Sequence, residues 1–198
     1  SLLTSIPGYV EGFRAAFPED KEPLTMANLG KAIGAFERQL VTPSRFDKLL
    51  GGDKGALTDD EKRGLRRFVE VGCATCHNGM GVGGGMFQKL GLVVPWPDDK
   101  DQGRYTITKN VADKQVFRVP LLRNVERTAP YFHDGSVPTL EQAVKLMGKH
   151  QLGKDLSDED VALVTAFLKS LTGTFDSRYV ARPEVLPGSS ATPKPVLD

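Results

Sequence analysis

The sequence predicts an all-α fold with long loops, and three observations predict it. Apolar residues recur at helical spacing in several stretches that open on a capping residue, Thr58 and Ser157 among them. Only one short segment, 104–107, alternates as a strand would. The stretches between helices, such as 79–85 and 95–101, are rich in Gly, Pro and Asp. With 198 residues, 39% hydrophobic and 26% charged, the chain has the composition of a folded domain, or of one domain with an extension.

The first helix is expected around residues 8–17, where Tyr9, Phe13 and Phe17 fall four apart before Pro18. Thr25 caps a second, in which Met26, Leu29, Ile33, Phe36 and Leu40 share one apolar face, which makes Met26 a core residue. Thr42-Pro43-Ser44 and Gly51-Gly52 then bracket a short element, and the first boundary is placed at 52/53. The third long helix opens on a capping box, Thr58 with Glu61, and buries Leu65, Phe68 and Val69.

That helix delivers Cys73-Ala74-Thr75-Cys76-His77, the spacing of a c-type haem attachment site. Cys73 and Cys76 supply thiols for two thioether bonds to haem c, and His77 supplies the proximal nitrogen ligand. The chain has 2 cysteines, which rules out a four-cysteine zinc site; a disulfide or a zinc knuckle is the alternative to haem. The expected architecture is therefore a cytochrome c-like haem domain with additional helices and long loops.

Beyond His77, glycines permit a loop close to a porphyrin edge, in which Met80 and Met86 are too poorly fixed to serve as ligands. Trp96 is expected to cap the core from a surface loop, with an electron-relay role as the alternative. Arg104-Tyr105-Thr106-Ile107 is expected to form a short strand. Arg123 suits a haem propionate, since a guanidinium matches a carboxylate in two places, or else lies in solvent. The segment 128–135 lacks helical period and is dense in polar and aromatic groups, a pattern that suits a functional loop. Thr139 caps a helix bearing Ala143, Val144 and Met147; Met147 is a core residue or a sixth iron ligand. His150 is expected at the surface. Ser157, followed by three acids, starts the last helix, whose face is Val161, Val164, Phe167, Leu168 and Leu171, with Gly173 ending it. Residues 53–175 form the expected haem domain and 176–198 a Pro- and Ser-rich tail.

Lys and Arg number 26 against 25 acids, a net charge of +1, which argues against a nucleic-acid partner. No apolar run approaches the roughly 18 residues of a membrane-spanning helix, so no membrane insertion is expected. The first residues lack the features of a signal peptide. Covalent haem nevertheless implies export, and the expected location is the periplasm.

Several of these segments together resemble the bacterial dihaem cytochrome c peroxidases. They are Ile6-Pro7-Gly8-Tyr9, the 32–38 stretch AIGAFER, the haem motif, the 117–125 stretch FRVPLLRNV, the 128–135 stretch TAPYFHDG and Leu146-Met147-Gly148. The resemblance covers residues 5 to 173 and implies the C-terminal, electron-transfer haem domain, preceded by helices belonging to the first domain. By position it makes His77 and Met147 the axial ligands, and His133 a residue tied to activity at the domain interface. It makes the carbonyls of Thr128 and Pro130 calcium ligands. It implies a small cytochrome c or cupredoxin as electron donor, an N-terminal peroxidatic haem domain as partner, and a homodimer. One C-x-x-C-H is present, so the chain is expected to be the electron-accepting half of such an enzyme, reducible but a poor peroxidase alone. A stand-alone monohaem electron carrier is the alternative. A MauG-like oxidase, in which a tyrosine replaces the axial methionine, is disfavoured by Met147.

Overall fold

The computed structural model describes residues 2–194. Seven α-helices appear among them: α1 (Pro7–Ala16), α2 (Met26–Glu37), α3 (Arg45–Leu50), α4 (Asp59–Val71), α5 (Tyr105–Thr108), α6 (Leu140–Leu152) and α7 (Asp158–Lys169). Two three-residue strands, β1 (Phe87–Lys89) and β2 (Val116–Arg118), pair antiparallel with Gln88 opposite Phe117. The fold is all-α, as predicted. The helices fall in two compact units, one of Thr42–Thr174, the other of the described residues up to Val41 and from Phe175 onward. These divisions differ from the expected 52/53 and 175/176, and the tail joins the N-terminal helices.

In the Thr42–Thr174 unit, α4 and α7 form the frame. Both begin with capping boxes: Thr58 with Glu61, and Ser157 with Asp160. Each also carries three acids in its first turn, where the helix dipole favours them. The two helices cross at Gly64, where a Cβ would sit 2.0 Å from the Leu163 carbonyl oxygen, so only glycine permits the approach. Arg67–Asp160 (2.6 Å) and Arg63–Glu159 (2.8 Å) flank the crossing. Arg63–Glu159 is exposed and contributes little, whereas Arg67–Asp160 is a part-buried two-point contact; most of the stabilisation comes from burial beneath them. Phe167, Val164 and Leu171 are at most 1% exposed, and the Phe167 ring meets Phe68 (5.3 Å) and Phe46 (5.5 Å). Each such side chain contributes roughly 1.5–3 kcal/mol of burial.

The expected strand at 104–107 is instead the short helix α5. Thr106 and Thr108 hydroxyls donate back to the Gly103 and Arg104 carbonyls, and Gly103 already bridges Val116. Local side-chain bonding therefore competes successfully with strand pairing.

In the other unit, Phe13 is buried and its ring packs on Phe17 at 5.8 Å. Thr25 caps α2 by accepting from the Asn28 amide, and buried Asn28 donates to Asp20 (2.7 Å) and to the Pro23 carbonyl (2.9 Å). Those bonds decide which way α2 faces. The stripe of Met26, Ile33, Phe36 and Leu40 lies about a third of a turn from Asn28 and stays largely exposed. Met26 is 82% exposed, which corrects its expected place in the core. The tail is tied down: Ser189 and Thr192 hydroxyls donate to the Ser5 carbonyl (2.7 and 3.0 Å).

Candidate functional site

A cavity of about 420 Å³ opens in the Thr42–Thr174 unit, within the range of about 300–1,000 Å³ usual for cofactor sites. One wall comes from the end of α4 and the turn after it, where left-handed Gly72 stops the helix and Cys73, Cys76 and His77 follow. The facing wall is one stripe of α6, Leu140, Ala143, Val144, Met147 and Gln151, spaced as a single helical face. Val164 and Leu168 of α7 and residues 117–122 complete an apolar enclosure. The structure thus brings Cys73, Cys76, His77 and Met147 to one cavity.

The protonation states suit haem. Burial pushes the Cys73 thiol up to about 11, partly offset by hydrogen bonding within its own backbone and by Lys154. The thiolate that a redox dithiol or a zinc site needs is therefore disfavoured at Cys73. Burial also lowers the pKa of His77, which keeps its imidazole neutral, the form that ligates metal. Among the described residues His77 Nδ1 is buried without a regular hydrogen bond, and the backbone of Pro120 and Val82 opposes the shift. Nδ1 lies on the Gly83 side of the ring, which would leave Nε2 for a metal. The chain can come this close only because residue 83 is glycine: a Cβ there would lie 2.1 Å from the Pro120 oxygen and 3.2 Å from His77 Nδ1.

The other expected site residues divide. His133 lines the cavity and stacks on Phe117, centroids 4.3 Å apart at 29°. Thr128 and Pro130 also line it; the Thr128 hydroxyl donates to the Val125 carbonyl. Among the described residues, no group of three or more His, Cys, Asp or Glu is placed to hold a metal ion. Met80 and Met86 are outside the lining, Met80 at 92% exposure.

Arg123 is not brought to the cavity. Its guanidinium forks onto Asp47, two bonds of 2.7 Å, and its Nε donates to the Met80 carbonyl. Arg123 holds the Asp47 carboxyl far below the usual range against the opposing effect of burial, with help from the Ser44 amide and hydroxyl. Long polar side chains that do line the cavity include Gln88, Lys89, Arg118 and Gln151. Gln151 was legible, since it continues the α6 stripe four residues past Met147; Lys89 and Arg118 were not, because the β1–β2 pairing brings them there.

His150, expected at the surface, is 7% exposed, because its Nδ1 sits 2.9 Å from the Val94 carbonyl. Trp96 packs between rings, 4.7 Å from Phe132 and 4.9 Å from His150, and its buried indole N–H has no hydrogen-bond partner among the described residues.

Comparison with known proteins places this geometry among relatives. The family described as di-haem cytochrome c peroxidase matches residues 1–55, and a RoxA-like, cytochrome c-like family matches residues 116–148. A cytochrome c551 peroxidase of Nitrosomonas europaea is 45% identical over 195 residues, 98% of this chain and 57% of the relative. The cytochrome c peroxidase Ccp of Escherichia coli is 49% identical over 153 residues, 75% of this chain and 33% of that one. The crystal structure of a MauG-like protein associated with microbial copper homeostasis superposes with a TM-score of 0.71 at 32% identity, covering 89% of this chain and 61% of that chain. The chain thus spans little more than half the length of the Nitrosomonas relative.

Proposed function

Because the chain belongs to the dihaem cytochrome c peroxidase family, we propose that it is the electron-transfer haem unit of such an enzyme, in which hydrogen peroxide is reduced to water. The observation that carries this reading is the convergence of Cys73, Cys76, His77 and Met147 on one apolar cavity. A haem bound there supplies a one-electron iron couple.

The chain's residues set the terms of that couple. Cys73 and Cys76 would anchor the porphyrin through thioethers. His77, neutral and buried, would supply one ligand to the haem iron, and the Met147 thioether would supply a second and favour the ferrous state. Two protein ligands to the iron would leave no place for peroxide, which suits a unit that carries electrons rather than one that cleaves the O–O bond. Lys89 and Arg118 would be the groups available to the propionates, in place of Arg123. The surrounding apolar walls exclude water and stabilise the less charged, reduced state.

A small cytochrome c or cupredoxin is the proposed donor, and a peroxidatic haem domain the proposed acceptor. The stack of exposed His133 on Phe117 at the cavity supports His133 as the contact residue toward that domain. Calcium bound by the Thr128 and Pro130 carbonyls would draw its remaining oxygens from elsewhere, since calcium takes about six to eight. The proposed location is periplasmic.

The test is to load the chain with haem, then measure its reduction by a small cytochrome c and its peroxide turnover. Fast one-electron reduction with slow turnover is expected; rapid turnover by the homogeneous chain overturns the assignment.

A further inference from the structure

The segment from Lys89 to Trp96 leaves β1 and runs along the last turn of α6, where two consecutive residues hold nearly all of it. Gln151 Oε1 accepts from the Gly91 and Leu92 amides (2.6 and 3.2 Å), and its Nε2 donates to the Lys89 carbonyl (3.0 Å). The His150 carbonyl accepts from the Val93 and Val94 amides (3.0 and 3.1 Å). Its ring Nδ1 lies 2.9 Å from the Val94 carbonyl and 3.2 Å from that of Pro95. Two acceptors facing Nδ1 require a proton there, so the ring donates to the strap. The strap also resolves a problem at the helix end, because the last carbonyls of α6 have no partners within the helix.

This attachment sits beside Met147. Gln151 is one turn further along the same face of α6, and Lys89, Leu90, Gln151 and Leu152 border the cavity with it. A methionine side chain has three soft torsions and no fixed shape of its own. Its thioether stays on a metal only as firmly as its helix is held.

We propose that Gln151 and His150 are positioning residues, which use the 89–96 strap to fix the last turns of α6 and so keep Met147 at its axial position. The proposal rests on the assignment of Met147 as a ligand. It also gives the strap a task that neither segment shows by itself, the coupling of a surface loop to ligand exchange.

The test uses ferric, haem-loaded protein titrated with imidazole, which displaces a thioether, while the methionine-to-iron charge-transfer band is followed. Gln151→Ala removes three strap bonds. His150→Leu removes the ring donor shared by the Val94 and Pro95 carbonyls and leaves the backbone bonds in place. Both are expected to lose the band at about tenfold lower imidazole than wild type. His150→Asn, which restores an N–H donor near the position of Nδ1, is expected to recover most of that difference. Phe46→Leu, a packing change on α3 away from the strap, is expected to leave the midpoint in place. Equal midpoints for wild type, Gln151→Ala and His150→Leu overturn the proposal, as does an equal shift in Phe46→Leu. A wild-type protein with no band at all overturns the ligand assignment itself, and the proposal with it.

Discussion

The two units of the chain are built from similar helices and buried very differently. The Thr42–Thr174 unit holds a cluster of 15 buried apolar residues, whereas Phe13 is the buried large apolar side chain of the other among the described residues. Helices α7 and α2 make the contrast concrete. On α7, Val161, Val164, Phe167 and Leu168 are 1–7% exposed; on α2, Met26, Ile33 and Phe36 are 50–82% exposed. The difference lies in the partner. Gly64 lets α4 approach α7 to backbone contact, while α2 is oriented by the hydrogen bonds of a buried asparagine. An apolar stripe specifies a helix, and a complementary surface decides whether the stripe is buried.

Substitutions sharpen that contrast. Phe167→Ala empties a site between two rings and is expected to cost about 3–5 kcal/mol in denaturant unfolding of the haem-loaded protein. Phe36→Ala on α2 is expected to cost less than about 1 kcal/mol; equal losses would erase the distinction between the units. Next in size is Gly64→Ala, which forces α4 from α7 and is expected to cost about 1–3 kcal/mol, with a lower melting temperature as the readout.

Acid should act on the Thr42–Thr174 unit through its depressed carboxylates. Arg123 holds Asp47 low against burial; for Glu61, burial acts upward but Arg45 and the Thr58 amide prevail. A carboxylate lowered in the folded state stabilises fully above its unfolded pKa of about 4. That contribution is lost as pH falls toward the folded value. Asp47→Asn is therefore expected to lower stability at pH 7 and to flatten its decline below pH 4, measured as unfolding free energy against pH. The smallest effect is expected at Met26, where Met26→Ser should stay within about 0.5 kcal/mol.

Much of the site was legible because it is local. Cys73, Cys76 and His77 are adjacent in sequence, and Thr58, Thr139 and Ser157 cap the helices that the periodicity marks. Met147 on the cavity face follows from the spacing of Leu140, Ala143 and Val144. What was not legible depends on distant pairs. Arg123 is claimed by Asp47, 76 residues away, and His150 by the carbonyls of Val94 and Pro95. The same applies to Arg118, which reaches the cavity through strand pairing, and to the faces of α2, which Asn28 sets through Asp20 and Pro23.

The central claim is that His77 and Met147 together close the coordination of one covalently held haem. It is tested most directly by the ferric spectrum of the haem-loaded wild type beside Met147→Ala, Met80→Ala and Met86→Ala. The methionine-to-iron charge-transfer band should be present in wild type, lost in Met147→Ala and kept in the other two. A band that survives Met147→Ala, or is absent from the wild type, would contradict it.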